Sequence, residues 1–203
     1  MLKGFMLGLV FANGFEWIAH KYILHGTHRK GQARFSPVPR SMQSHWAHHR
    51  EVRSAQFHDV GYVEGISNWR TKNEIVSLAI VAGVASLTFY PMSKGMVLAA
   101  LYSAGNYYYV HRRAHLQPTW AKHKIPWHYD HHMNANQDAN WCVTKPWFDY
   151  ILGTRVISAE DLKEQNPLGI PLPKVISMWL NKQAEQYCPA KWVNHDIANR
   201  IGK

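Results

Sequence analysis

The sequence contains only two cysteines, Cys142 and Cys188, in 203 residues. Two thiols cannot build a disulfide framework or a four-thiolate zinc site. We therefore expect both cysteines to be free thiols in a reducing compartment. The chain is long enough for one domain with a hydrophobic core.

Acidic residues are also scarce, with 13 Asp and Glu against 23 Lys and Arg, so the formal net charge is +10. Such an excess suggests a nucleic acid, an anionic membrane surface or an acidic substrate as the partner. The basic residues lie in loops beside apolar segments, and no nucleic-acid-binding motif is recognised among them. We expect no nucleic-acid partner, because the positive-inside rule for membrane proteins already explains this distribution.

Charge is absent altogether from residues 75–92 and 95–110. The sequence "YPMSKG" at 90–95 is typical of a turn between them, so residues 75–110 are predicted to form a helical hairpin in a membrane. Residues 4–19 form a further apolar stretch, interrupted by Asn13 and Glu16, and residues 1–25 are predicted to form one long helix. A helix is also predicted at 42–53, followed by a loop up to about residue 73. A soluble helical protein that buries the hairpin is the alternative.

The fold class predicted from these segments is an all-α integral-membrane protein. It would have a few short transmembrane helices and a cytosolic helical cap that holds a histidine-rich dimetal site. Residues 1–203 are expected to form a single domain, with membrane segments at 4–19 and 75–110, a histidine-rich region at 20–155 and an amphipathic tail at 156–203. Residues 20–73 and 111–203 would face the cytoplasm. Pro126 predicts the start of a helix, and "SAEDLKEQ" at 158–165 has the pattern of another helix start. Residues 173–187 are predicted to form an amphipathic helix.

Histidine is unusually frequent, with fourteen in the chain. Ten of them form four groups, and the pattern H-x2-H-H occurs twice, as "HWAHH" and "HYDHH". The four groups are His20 and His25; His45, His48 and His49; His111 and His115; and His128, His131 and His132.

The spacing within these groups is suited to metal binding. Residues three and four apart lie on one face of a helix, so each H-x2-H-H cluster can direct three imidazoles at one point. His20 and His25 lie about 140° apart on an ideal helix, and would share a site only where the helix frays or ends. One first-row ion rarely takes more than six ligands, so ten imidazoles predict two ions. Iron fits an all-imidazole site with open positions better than zinc, although zinc can also occupy it.

Four histidines lie outside these groups: His28, His58, His123 and His195. We interpret them as surface or core residues, although His123 lies only five positions before His128. A single H-x2-H-H cluster could also be a pH-sensitive patch. The presence of two such clusters, one on each side of the hairpin, favours a metal site instead.

The ten histidines, in this order and spacing, resemble those of the fatty acid hydroxylase/sterol desaturase superfamily. The resemblance is closest to the fatty acid 2-hydroxylase branch, through "EWIAHKYILHG" and the H-x3-H group. The stretch "NWCVTKPWFDYILGTR" at 140–155 is similar to the segment that follows the last histidine group in the wider superfamily. The resemblance covers residues 14–155.

This resemblance implies an integral-membrane enzyme in which the ten histidines hold two iron ions. Such an enzyme inserts oxygen from O2 into a C–H bond of a lipid acyl chain, or removes two hydrogens from it. The sequence has no segment similar to the cytochrome b5 domain fused to many fatty acid 2-hydroxylases, so a separate cytochrome b5- or ferredoxin-type donor is expected to supply electrons. Sterol or carotenoid hydroxylases and desaturases of the same class are alternatives, and so is a non-catalytic metal-binding membrane protein.

Other residues around the predicted site have two interpretations. A lipid chain is expected to enter along Tyr107, Tyr108 and Tyr109, which would otherwise be an interfacial belt. Arg112 and Arg113 would bind an acidic headgroup or the carbonyl end of a helix. Four carboxylates could orient the imidazoles by accepting hydrogen bonds from them, or could instead be solvent-exposed or structural: Glu16, Asp130, Asp138 and Asp149.

Overall fold

The computed structural model describes residues 1–26, 40–134, 136–157, 165–188 and 191–192. The chain divides into two compact units, Met1–Leu116 and Gln117–Lys203. Within the described residues there are nine α-helices, which confirms the all-α class, and one short pair of strands. The predicted ten-histidine region has members in both units.

The first unit begins with one long helix that ends in a π-helical turn. Helix α1 spans Leu2–Ile18, and the π-helical turn spans Ala19–Leu24. The backbone N–H of His25 donates to the carbonyl of His20 at 3.0 Å, which is the i→i−5 bond of a π-helix. The continuous helix predicted over residues 1–25 is therefore confirmed, with a change of helix type at its end.

Helix α2 spans Arg40–Ser54 and carries the first H-x2-H-H cluster, as the sequence predicts. Short elements follow it: α3 at Gly61–Glu64 and a 3-10 turn at Gly65–Ser67. The prediction of a loop up to about residue 73 is wrong, because α4 already begins at Trp69. The side chain of Asn68 accepts from the backbone N–H of Arg70 at 3.0 Å, an N-cap that the sequence alone already indicates.

The predicted helical hairpin is confirmed. Helix α4 spans Trp69–Phe89 and helix α5 spans Lys94–Leu116, with a four-residue turn between them. Helix α5 also carries His111 and His115 in its last turns. Both helices pack together, and α4 also packs on α2.

Helices α1 and α5 approach closely through small residues. A Cβ added to Gly8 of α1 would lie 2.5 Å from the Cβ of Ala99 in α5, and a Cβ added to Gly95 would lie 2.7 Å from the backbone nitrogen of Phe5. Small residues four apart on each of two helices allow this approach, a common packing mode of helices in membranes. A larger residue at Gly8 or Gly95 would therefore push the two helices apart.

The outer surface of α1, α4 and α5 is apolar. Among the described residues, α4 is the one helix long and apolar enough to cross a bilayer, with 21 residues and a mean hydropathy of 1.3. Its length of about 31 Å matches a hydrocarbon core of about 30 Å. Large apolar side chains on these three helices are 45% to 79% exposed: Leu2, Met6, Leu7, Val10, Phe11, Phe15, Val76, Ile80, Val84, Leu87, Leu98 and Leu101.

The second unit contains short helices connected by irregular segments. Helices α6 at Pro118–Lys124 and α7 at Pro126–Met133 each begin with proline at their first position, as predicted for Pro126. Helix α8 spans Trp147–Ile151, and helix α9 spans Lys174–Tyr187. Strands β1 at Val156–Ile157 and β2 at Lys191–Trp192 pair in parallel.

Asp149 organises the irregular segment before β1. Its carboxylate accepts from the backbone N–H groups of Trp141 and Cys142 at 2.8 Å each and from the hydroxyl of Thr154 at 2.7 Å. Burial raises the pKa of Asp149, and these hydrogen bonds oppose that rise. The aspartate within "FDYILGT" is thus structural, one of the two roles considered for it above.

Helix α9 confirms the predicted amphipathic helix at 173–187, and it leaves apolar side chains exposed. Ile176 is 46% exposed and Trp179 is 59% exposed, whereas Ser177 is buried and accepts from the amide of Asn166 at 3.2 Å. Both cysteines are free thiols, as predicted; Cys142 is buried. The "SAEDLKEQ" helix start expected at 158–165 falls almost entirely outside the described residues.

Candidate metal centre

The π-helical turn places His20 and His25 side by side. Hydrogen bonds from residue i to i−5 put residues five apart above one another, whereas an α-helix separates them. Their imidazole rings have centroids 5.1 Å apart, and both residues are buried. The two histidines are therefore brought together by a wider helical turn, and the predicted fraying or helix end is not needed.

The cluster on α2 does not converge on one point, in contrast to the expectation from its spacing. His45 and His49 lie 4.6 Å apart between ring centroids, whereas the ring of His48 is 6.2 Å from His45 and 6.1 Å from His49. His45 and His49 join the residues of the π-helical turn, and His48 joins those of α5. The cluster thus supplies ligands to two neighbouring groups.

The first histidine group consists of His20, His25, His45 and His49, all buried. One ring nitrogen from each lies within 4.8 Å of those of the others. Three pairs of Nε2 atoms are especially close: His20 to His45 at 3.1 Å, His45 to His49 at 3.1 Å, and His49 to His25 at 3.2 Å.

These separations fit a common metal ion. Nitrogens bound at about 2.0–2.1 Å from one ion lie about 3 Å apart at right angles and about 4 Å apart when opposite. Hydrogen bonds alone explain them poorly, because Nε2 of His45 faces two other ring nitrogens and each nitrogen can donate or accept in only one direction. The first histidine group therefore has the donor set and the spacing of a metal site.

The second histidine group within the first unit consists of His48, His111 and His115. Ring centroids are 4.5 Å apart for His48 and His115, 5.0 Å for His48 and His111, and 4.9 Å for His111 and His115. All three residues are buried, and their ligand nitrogens also lie within 4.8 Å of one another.

Each ring of the second histidine group is held through Nδ1. His48 Nδ1 lies 2.7 Å from a carboxylate oxygen of Asp59, and His115 Nδ1 lies 3.0 Å from the carbonyl oxygen of Phe57. His111 Nδ1 lies 2.6 Å from Glu74. A proton on Nδ1 leaves Nε2 as the nitrogen that can bind a metal, and such acceptors fix the ring orientation.

Asp59 and Glu74 are carboxylates that the sequence did not reveal. Asp59 also accepts from Arg70 Nη2 at 2.7 Å and from the backbone N–H of Gly61 at 2.8 Å. Glu74 accepts from the hydroxyl of Tyr62 at 2.7 Å, and that hydroxyl is 2.8 Å from His111 Nδ1. No local pattern links either carboxylate to its histidine, since they are 11 and 37 residues apart.

Burial and charge set the protonation of this site. Burial alone would raise the pKa of Asp59, but the hydrogen bond and charge of His48, the Gly61 N–H and Arg70 together lower it to about 2. Burial lowers the pKa of His48 and, with four neighbouring imidazoles, lowers that of His45 well below its usual value. The imidazoles of His45 and His48 are therefore neutral near pH 7, which is the form that binds metals.

The second unit carries its own histidine cluster on α7. His128, His131 and His132 are fully buried, and the rings of His128 and His132 have centroids 4.7 Å apart. His131 Nδ1 lies 2.8 Å from the carbonyl oxygen of Ala139, which again leaves Nε2 as the candidate ligand atom. Within this unit, the indole of Trp127 donates to the carbonyl of Val143 at 2.9 Å and anchors the helix.

The remaining predicted residues have other positions. His58 is half-buried, His123 is exposed, and His28 and His195 lie outside the described residues. Asp130 pairs with Arg155 at 2.9 Å, and Asp138 is exposed. Arg112 donates to the carbonyl of Tyr62 at 3.2 Å and Arg113 to the hydroxyl of Tyr109 at 3.1 Å.

An elongated cavity of about 750 Å³ lies within the first unit and reaches the histidines. Its walls are mainly apolar residues of α1, α4 and α5, and its polar end includes His20, His45, His48 and His111. Of the three consecutive tyrosines, Tyr107 lines this cavity, whereas Tyr109 is 58% exposed. Glu16 also lines it, one helical turn before His20. Such a cavity can bring an apolar chain beside the imidazoles.

Comparison of the chain with protein-family models, with curated proteins and with solved structures found no match. Buried histidines of the first unit form two adjacent groups that can each hold a metal ion, and the second unit carries a third buried cluster.

Proposed function

We propose that this protein is a membrane di-iron oxygenase that inserts one oxygen atom from O2 into a C–H bond of a lipid acyl chain. The observation that carries the proposal is the cavity between α1, α4 and α5, which ends at His20, His45, His48 and His111. An apolar cavity with metal ligands at one end suits a reaction on an unactivated hydrocarbon.

The histidines fit two iron ions. The first histidine group would hold one ion and the second histidine group the other, and the family resemblance adds His128, His131 and His132 as ligands. Iron supplies the oxidising power when bound, and the balanced reaction consumes O2, two electrons and two protons to give an alcohol and water. Zinc would occupy the same ligands in purified protein without supporting this chemistry.

The protein's own residues position the reactants and handle protons. The apolar walls exclude water and align the chain, so that a single carbon lies beside the imidazoles. Asp59 and Glu74 hold the Nδ1 protons of His48 and His111, and Tyr62 offers a hydroxyl proton within this network. These groups keep the rings of His48 and His111 oriented while the substrate enters.

The membrane environment is part of the same proposal. Helices α1, α4 and α5 would lie in the bilayer, because their large apolar side chains are exposed and their helix contact uses glycine and alanine. The histidine groups would face the cytoplasm, where basic segments flank the apolar ones. A lipid would then pass laterally into the cavity without crossing water.

The test compares wild type, His48→Ala and the control His123→Ala in one host, by high-resolution mass spectrometry of total lipids. A gain of one oxygen in wild type and His123→Ala, with none in His48→Ala, supports the proposal and identifies the substrate. A loss of two hydrogens would indicate a desaturase, and a shift in sterols or carotenoids a different substrate of the same class. Purified wild type should contain two iron ions per chain.

A metal-storage or metal-sensing membrane protein is the second candidate, favoured by the histidine groups alone. It predicts bound metal in wild type and unchanged lipids in every host supplied with an electron donor. That result would exclude the oxygenase proposal.

A further inference from the structure

An exposed tryptophan lies directly against the first histidine group. Trp46 is 38% exposed, and its ring centroid is 4.7 Å from that of His25 and 5.7 Å from that of His49. It contacts two candidate ligands at once, whereas the imidazoles behind it are buried. The indole therefore connects the protein surface with the interior of the site in a single side chain.

The surface around this indole is basic. Helix α2 turns its histidines inward, and its outward face carries Gln43, Trp46, Arg50 and Arg53, at spacings of three and four residues. All four are exposed. We call this surface the Trp46 face. Glu51 is half-buried on the flank of the same helix, so the charge of the exposed face is positive.

We propose that the Trp46 face is where an acidic one-electron carrier protein docks, and that Trp46 is the route by which its electrons reach the site. This inference rests on the proposed function, because only a redox metal needs electrons. Tryptophan and arginine are the residues most enriched at the energetic centres of interfaces, and a basic face attracts and orients an acidic partner.

The transfer balances without any change in Trp46. One electron would leave the reduced carrier and pass through the indole and the imidazoles of His25 and His49, which would hold an iron ion able to accept it. Two such transfers supply the two electrons of one turnover. No bond forms or breaks along this route. The property of Trp46 to test is therefore its aromatic ring.

Docking is tested first, on zinc-loaded protein that cannot turn over. The probe is the soluble acidic domain of cytochrome b5, titrated at low and at physiological salt. Arg50→Glu should weaken binding about three- to tenfold at low salt, because an exposed attraction becomes a repulsion. Lys72→Glu changes the net charge equally at another exposed position and should leave the affinity within about twofold.

Electron passage is tested on iron-loaded protein, by the rate at which saturating reduced cytochrome b5 is oxidised. Wild type should oxidise cytochrome b5 in a fast phase, which Trp46→Leu should lose even at saturation. Trp46→Phe should retain part of this fast phase. Arg50→Glu should reach the wild-type rate once it is saturated with cytochrome b5. Trp69→Leu is the matched control, because Trp69 is 42% exposed in the same unit. Dithionite should reduce every variant equally.

The outcomes separate this inference from the proposed function. Equal rates for Trp46→Leu and wild type would overturn the route, and equal affinities for Arg50→Glu and Lys72→Glu would overturn the docking face. Failure of wild type to bind either cytochrome b5 or an acidic [2Fe–2S] ferredoxin would overturn both. Iron that dithionite cannot reduce in wild type would refute the oxygenase instead, and the zinc titration would still decide the docking.

Discussion

Replacement of Asp59 by asparagine should weaken metal binding through His48. In the wild type, one carboxylate oxygen faces His48 Nδ1 at 2.7 Å, and the other accepts from Arg70 and from Gly61. Asparagine keeps only one oxygen. Its NH2 group must then face either the ring N–H of His48 or the donors of Arg70 and Gly61, so one donor always meets another donor.

The expected loss follows from that mismatch. The ring can restore a hydrogen bond by moving its proton from Nδ1 to Nε2, but Nε2 is then no longer free to bind a metal. Replacement of such a supporting group typically lowers metal affinity about 10- to 100-fold, or about 1.4 to 2.7 kcal/mol. Because the pKa of Asp59 is about 2, the wild-type carboxylate is ionised throughout the useful range for this measurement.

The assay is a competition between the purified protein and a chromophoric chelator for Zn²⁺ at pH 7.5. Asp138→Asn, an exposed aspartate, is the control and should bind as wild type does. In a His48→Ala background, Asp59→Asn should cause little further loss, because the ligand it supports is gone. An affinity within twofold of wild type, or an equal loss in both backgrounds, would refute the role of Asp59 in orienting His48.

Three further predictions concern stability. Gly8→Ala should destabilise the protein by about 1–3 kcal/mol, because its Cβ would clash with Ala99. Gly105→Ala is the control and should have no such effect, because a Cβ at Gly105 has no atom within 4 Å. Chemical denaturation in micelles measures both variants. Arg155→Met should cost about 3–5 kcal/mol by leaving Asp130 buried without its cation, measured in the same way. Burial lowers the pKa of His45 in the folded state, whereas in the unfolded chain His45 takes up a proton near its usual pKa of about 6.5. The free energy of unfolding of metal-free protein should therefore be constant above about pH 6.5 and fall by up to about 1.4 kcal/mol per pH unit below it. His45→Asn should flatten this pH dependence, which thermal unfolding measures.

Local patterns in the sequence predicted several helices of this fold. The uncharged stretches predicted the hairpin of α4 and α5, and Pro126 marked the start of α7. Spacings of four residues predicted that His45 and His49 share one face of α2, and that His111 and His115 share one face of α5. Such local patterns are visible because each is written within one or two helical turns.

Features that depend on packing could not be predicted. The division of His45 and His49 from His48 is decided by which neighbours approach α2, and spacing alone does not specify those neighbours. Asp59 and Glu74 reach their histidines only after the chain has folded back, whereas Asp130, inside "HYDHH", pairs with Arg155. The start of α4 was not predicted for a different reason: the turns that follow the Asn68 cap are polar, so no apolar periodicity marks them.

The π-helical turn has a consequence for how the segment tolerates changes of length. The turn is defined by backbone hydrogen bonds, so its geometry depends on the number of residues that it contains. Removal of one residue between His20 and His25 would shorten the wide turn to an ordinary α-helical one, and the two histidines, then four apart, would still lie on one face. A single-codon deletion between them should therefore be less damaging than the loss of either histidine. Natural variation in this stretch should include an α-helical H-x3-H form beside the π-helical H-x4-H form.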